Sequence, residues 1–226
     1  MNENSKVSLF LSRLVFQKLL SLLFYLIGAG WLLSRRAAWY FGFYIVFSVI
    51  SGFYLALRSS AMLAERNKTL TDSPLWDKIL LGTFWLLNYF IVYLIAGIET
   101  AAEPALNAIF WLGLALGFIS GLITIASMRA NTFFESTARL QTDREQTVCQ
   151  SGPYAVVRHP GYAAVLLNCL SLALVFQTNG VMICAGIIAA IIALRTQLED
   201  RMLQSDLAGY RAYAEQVRFR LVPFIW

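Results

Sequence analysis

The chain has 226 residues, of which 58% are hydrophobic and 14% charged, against roughly 25% charged in an ordinary soluble domain. Such a composition excludes a water-soluble globular domain and places the protein in a membrane. The net charge of +5 calls for no nucleic acid, because basic loops facing an anionic membrane surface account for it.

Taken in chain order, the first apolar stretch runs from about Leu9 to Leu33 and carries Arg13 and Lys18, so its clean part begins only at Leu19. We read it as a spanning helix; it lacks the small-residue cleavage site of a removed signal peptide. Ala37 to Leu57, Ile79 to Ile98 and Pro104 to Met128 contain no Asp, Glu, Lys or Arg. Each reaches the ~20 residues that a helix needs to cross ~30 Å of hydrocarbon. The uncharged run from Pro160 to Leu194 is too long for one crossing and short for two, with a turn signal at Gln177-Thr178-Asn179-Gly180. It reads as a short helical hairpin. Its arms, Gly161–Phe176 and Val181–Leu194, would reach only about 24 and 21 Å at 1.5 Å per residue. The expected fold is an all-α, polytopic integral membrane protein with four spanning helices, a short C-terminal hairpin and an amphipathic tail.

Basic residues set the expected orientation. With the N-terminus in the cytoplasm, only Arg35 and Arg36 fall on the far side, and the loops 58–78 and 129–158 and the tail all face the cytoplasm. Glu99 and Glu103 flank a short outer turn, where they are expected to meet water. Gly113, Gly117 and Gly121 share one face of a spanning helix and permit close helix approach. That face suits packing inside the monomer; a homodimer is possible through it but not required.

Cys149, Cys169 and Cys184 show no paired spacing, and a single histidine with no CxxC or HExxH motif argues against a protein-built metal site. There is no Walker A or GxGxxG pattern and no alternation of strands with helices, so a nucleotide-like ligand would have to bind without a Rossmann fold.

Polar sequence between Arg129 and Arg158 is long for a connection between membrane helices, and such loops are commonly functional. Beyond the hairpin, Leu198, Met202, Leu207, Tyr210, Ala214 and Val217 form a helical stripe broken near Gly209, which suits a tail lying on the membrane surface or capping the loop. The hairpin starts at the loop and ends at the tail. Arg158-His159 and Arg195-Glu199 therefore become neighbours at one rim.

"GPYAVVRHPGY" (152–162), the Arg195-x3-Glu199 pair and "GYRAYAEQVRFRLVPFIW" (209–226) together resemble the membrane-embedded isoprenylcysteine carboxyl methyltransferase family. "MLAERNKTLTDSPLWDKIL" (62–80) and "NTFFESTARLQTDREQTV" (131–148) look like its bacterial and archaeal members. The resemblance covers roughly residues 58–226, a methyltransferase-like core, and leaves 1–57 as an N-terminal helical pair of the same single membrane-embedded domain. It implies methyl transfer from S-adenosyl-L-methionine to the carboxylate of an isoprenylcysteine-like thioether, in a prokaryotic cytoplasmic membrane. By matching positions, the cofactor would contact Gln141, Gln146, Thr147, Val148, Cys149, Tyr154, His159, Pro160, Gly161, Tyr162 and Glu199, and Arg195 would hold the acceptor carboxylate. The family's eukaryotic members have a histidine where this chain has Gln146, and the spacing from Gln141 to Thr147 differs slightly from theirs.

Physical chemistry runs parallel to the resemblance. A sulfonium donor is already activated, so transfer needs an in-line nucleophile in a water-poor pocket more than acid-base help. The planar fork of Arg195 can grip a carboxylate at two points, and Glu199, one turn on, can accept hydrogen bonds from a ribose or ammonium. Pro160 pushes His159 toward extended geometry, which makes its ring a fixed hydrogen-bonding group. Plain readings stand beside these: Arg158 as a snorkelling side chain, which we favour, Pro160 as a helix-start proline, Tyr162 as an interfacial anchor, Arg195 and Glu199 as an i,i+4 surface pair, and Tyr210 and Tyr213 as packing residues. The rival functions are an NADPH-dependent membrane reductase of the sterol reductase type, a phospholipid N-methyltransferase, and a non-catalytic membrane protein.

Overall fold

A computed structural model describes residues 3–58, 73–100 and 105–226. Among the described residues the regular structure is helical, without strands: α1 (Glu3–Gly28), α2 (Arg35–Arg58), α3 (Leu75–Glu99), α4 (Ala108–Ala130), α5 (Pro160–Phe176), α6 (Asn179–Asp206) and α7 (Tyr210–Gln216). Short 3-10 turns at Thr142–Arg144 and Gly152–Ala155 punctuate the long loop between α4 and α5. The stretch 62–72 of one family-like segment, and Glu103, lie outside the described residues.

Among the described residues four helices are long and apolar enough to cross a membrane: α2, α3, α4 and α6. This all-helical, polytopic architecture is the expected one, with two changes in detail. The first helix stops at Gly28 rather than Leu33, because the backbone turns left-handed at Gly30 and Trp31, and α1 is not one of the four. The second hairpin arm does not stop at Leu194. It continues to Asp206 as a 28-residue helix, the longest among the described residues. Charge had marked Arg195 as the end of the apolar run, but Arg195 and Asp200 are buried, so their charges are matched within the protein and need no exit to water.

The chain forms one loop end, where α3 and α5 begin and α4 and α6 finish, and one turn end opposite. At the turn end Gln177 takes a left-handed conformation (φ 55°), α6 starts at Asn179, and the Glu99 carboxylate accepts from the Gly180 N–H at 2.9 Å. Glu99 thus caps a positive helix terminus rather than simply meeting water. Arg36, also buried, donates to the carbonyls of Ala105 (2.9 Å from Nε) and Phe176 (3.3 Å), which quiets the C-terminal end of α5.

One continuous core joins Tyr25 of α1, Phe41 of α2, Tyr93 of α3, Phe110 of α4, Leu172 of α5 and Ile188 of α6. The α4 and α5 pair is the most extensive, and the glycine stripe explains why: a Cβ on Gly113 would come within 2.9 Å of the Val175 backbone nitrogen, and one on Gly117 within 2.8 Å of Ser171 Oγ. Ser171 Oγ then donates to the Gly113 carbonyl at 2.7 Å. Gly121 faces the Phe47 ring of α2, so all three glycines are used within the chain. A smaller cluster of Leu203, Leu207, Tyr210 and Tyr213 packs with Leu140 and Val148, which makes the tail a cap on the loop.

Candidate active site

Two charged knots hold the loop end together. Asp77 of α3 is fully buried and receives Nε and Nη2 of Arg195 at 2.8 and 2.7 Å, and its second oxygen accepts the Ala138 N–H at 3.0 Å. Arg195 Nη2 also donates to the Ser136 carbonyl. The loop is therefore tied to α3 and α6 at once. Within it, Arg139 bridges Glu135 (3.1 Å) and Asp143 (2.7 Å). The Asp143 hydrogen bond raises the Arg139 pKa above the usual guanidinium value, and the same bond lowers that of Asp143.

The second knot centres on Asp200, also fully buried. Arg158 grips it with two nitrogens, Nε to Oδ1 at 2.8 Å and Nη2 to Oδ2 at 3.0 Å, and Arg220 and Gln204 each reach Oδ2 at 2.8 Å. Tyr210 donates to Oδ1 at 3.1 Å, and His159 Nε2 lies 3.2 Å from the same oxygen. Arg158 also donates to the carbonyls of Val217 and Arg218, and the Arg158 and His159 backbone N–H groups donate to Phe219 and Arg220. Arg158 does not snorkel: it is buried and locks the start of α5, α6 and the C-terminal tail into one body. Tyr210 belongs to the same knot, and Tyr213 donates to the Tyr154 carbonyl at 2.7 Å, so both do more than pack. Burial first, then the Asp200 charge, pushes the Tyr210 pKa above the ordinary phenol value.

Between the knots opens a cavity of about 750 Å³ that runs from the loop into the helix bundle. Gln141, Gln146, Thr147, Val148, Cys149, Tyr154, His159, Gly161, Tyr162, Arg195 and Glu199 all border it. Pro160 does not; it is the first residue of α5 and sets His159 at φ −125°. Eleven of the twelve expected positions, spread over residues 141–199, thus converge on one space.

What each offers is narrower than its residue type. The Gln141 amide is occupied by the Phe133 carbonyl (2.7 Å) and Arg144 (2.7 Å), while its backbone N–H donates to Gln146 Oε1 at 2.8 Å, so both glutamines shape the loop. Cys149 donates to the Ala130 carbonyl, and Tyr154 Oη receives Asn131 at 3.3 Å. His159 has Nε2 committed to Asp200 and Tyr210, which leaves Nδ1 and a ring face stacked on Tyr162 (5.8 Å, 18°). Nε2 faces the carboxylate, and Nδ1 is the ring nitrogen left for a ligand. Tyr162 donates to Glu199 Oε2, and Glu199 Oε1 makes no hydrogen bond among the described residues.

Arg195 departs from the expected bidentate grip. Its Nε and Nη2 edge already holds Asp77, and its face lies 5.3 Å from the Tyr162 ring centre. Among the described residues only Nη1 is without a partner, so Arg195 can present one donor to a ligand rather than a fork. The reason is electrostatic: a carboxylate as buried as Asp77 must be matched by a cation, and Arg195 supplies it. Asp77, Arg158 and Asp200 are the residues that sequence reasoning missed. For Asp77 and Asp200 the available signal was a charge on a helix long and apolar enough to span, since ionisable groups there are rarely idle.

Residues 108–208 match the family model for phospholipid methyltransferase. A search of curated proteins finds no match. The matched segment runs from the start of α4 to just past the end of α6, and so contains the loop, the cavity-facing residues and both Arg195 and Glu199. The matched segment is thus similar to a membrane methyltransferase family related to the isoprenylcysteine carboxyl methyltransferases, and the four long apolar helices among the described residues agree with a multi-pass membrane protein.

Proposed function

We propose that the protein transfers a methyl group from S-adenosyl-L-methionine to the carboxylate of a lipophilic acceptor, at the cytoplasmic rim of a prokaryotic inner membrane. The observation that carries this reading is the single cavity that borders polar loop residues at one end and bundle residues such as Tyr44 and Phe47 at the other. A charged, water-soluble donor and a membrane-dissolved acceptor need such a shared space.

The residues at the loop end suit this cofactor. Glu199 Oε1 and His159 Nδ1 suit ribose hydroxyls or the ammonium. When bound, the cofactor supplies an activated methyl on a sulfonium; the methyl passes to a carboxylate oxygen, which leaves a neutral ester and a neutral thioether. Arg195 Nη1 orients the acceptor through one charge-assisted hydrogen bond, and Asp77 holds the guanidinium so that this nitrogen points in one direction. The wall of the cavity keeps water from competing.

A second reading has its own support. The matched family model is that of phospholipid methyltransferase, and Arg195, half neutralised by Asp77, is a weaker carboxylate trap than a bare arginine. An amine on a lipid headgroup would then be the nucleophile. Purified protein supplied with methyl-labelled cofactor separates the two: label entering a farnesylcysteine analogue supports the carboxyl reading, and label entering phosphatidylethanolamine supports the amine. S-adenosylhomocysteine should stabilise the protein by about 2.7 kcal/mol at a hundredfold excess over its Kd, with NADPH giving nothing. Stabilisation by NADPH alone would overturn both in favour of a reductase.

A further inference from the structure

The bundle end of the cavity is not uniformly apolar. Lys18 of α1 is only 8% exposed and borders it, with its Nζ donating to Tyr44 Oη and lying 4.0 Å from the Tyr44 ring centre. No carboxylate pairs with it among the described residues. Lys18 Nζ also lies 5.5 Å from the ring centre of Tyr89 on α3, and the residue before it, Asn88, is 6% exposed, borders the same cavity, and has an Oδ1 with no hydrogen-bond partner among the described residues. Asn88 sits in a π-helical turn, Leu87–Ile91, where α3 is widened by one residue. Ser21 of α1 reaches into that turn and donates to the Tyr89 carbonyl at 2.9 Å.

A buried cation and an unsatisfied amide oxygen at the border of one cavity are each costly. Their proximity to the π-turn implies that the fold keeps them there for a ligand. Depth can be read along α3. Asp77, the partner of Arg195, and Asn88 are eleven residues apart on that helix, about 16 Å at 1.5 Å per residue.

We infer that Lys18 and Asn88 form a second polar subsite, which takes an anionic oxygen group carried about 16 Å along the acceptor from the group held at Arg195. The acceptor is then bipolar: one end is methylated at the loop, and the other is anchored inside the bundle. Lys18 supplies charge and donors, Tyr44 fixes the ammonium, and the Asn88 amide presents whichever of its two ends complements the ligand. This rests on the acceptor entering the cavity as proposed above, and it adds a requirement that a plain hydrocarbon tail does not meet.

The test uses purified full-length protein and two probes, tetradecanedioic acid and tetradecanoic acid, with binding read by native mass spectrometry. The diacid should bind wild type about tenfold more tightly than the monoacid, and Lys18→Met and Asn88→Leu should each remove most of that preference. S-adenosylhomocysteine affinity, measured in parallel, should stay unchanged in both variants. Equal binding of the two acids to wild type overturns the inference, as does a preference that survives in both variants. If the diacid preference holds while S-adenosylhomocysteine fails to bind, the subsite stands and the methyltransferase reading falls.

Discussion

Replacing Asp200 by asparagine keeps the shape of the side chain and removes its charge. In the native protein that charge lies among Arg158, whose side chain is 6% exposed, Arg220, 26% exposed, and His159. With the charge gone, Arg158 is left as an unmatched buried cation, and removing one partner of such a pair costs about 3–5 kcal/mol. Arg220 adds little, because it is partly solvated. The reverse change, Arg158→Met, should cost less, since Arg220 still neutralises Asp200. In the double variant Arg158→Met with Asp200→Asn, most of the second loss disappears. The singles should therefore sum to well over the double, with a coupling of about 1–3 kcal/mol. Unfolding in mixed micelles, followed by tryptophan fluorescence, measures all three. Because His159 is held by the same carboxylate, S-adenosylhomocysteine affinity should also fall in Asp200→Asn. A cost below about 1 kcal/mol, or strict additivity, would refute the reasoning.

Glu199→Gln should weaken S-adenosylhomocysteine by about tenfold, measured by calorimetry in detergent, with thermal stability changed by less than the Asp200 variant, because Glu199 borders the cavity and has one oxygen without a hydrogen bond among the described residues. Arg195→Lys should depress methyl transfer more than cofactor binding, since Lys keeps the charge for Asp77 but cannot hold it and a ligand with one rigid plane. Gly113→Val should destabilise the protein by about 1–3 kcal/mol, as its Cβ would press on the α5 backbone; loss of fluorescence-detected stability on heating reads it. Tyr154 and Tyr213, whose pKa values burial raises above 10.0, bind their protons more tightly folded than unfolded. Stability should then be level below pH ~10 and fall as pH rises past it, while the unfolded phenols ionise first; a titration of melting temperature from pH ~8 to ~11 checks the sign.

Membrane residence and helix number were legible because they depend on composition and run length, which need no partner. Helix ends were less so. The run from Pro160 broke at Arg195 on the page, yet α6 continues through it, because Asp77 lies on a helix 118 positions away and cancels the charge. Local sequence carries no trace of that pairing. Arg158 was misread for the same reason: its acceptor, Asp200, is 42 residues off. The cavity positions were found through the motif resemblance, whereas their hydrogen-bonding was not, since a glutamine pattern does not say whether the amide turns inward to Phe133 or outward to a ligand.

Glu199 and Asp200 show how little separates scaffold from site. Neighbours on a helix are about 100° apart, so a pair of adjacent acids must face different surroundings. Glu199 borders the cavity with one oxygen free, and Asp200 is fully enclosed by Arg158, Arg220, His159 and Tyr210. His159 reaches both faces: Nε2 is held by Asp200, while its ring stacks on the Tyr162 that binds Glu199. The enclosed acid therefore sets the ring that helps shape the open one. The double variant Glu199→Gln, Asp200→Asn should lose less ligand affinity than the sum of the two singles. The shortfall arises because Asp200→Asn alone already releases the ring that positions Tyr162 and Glu199, and a coupling near zero would show that the two acids act independently.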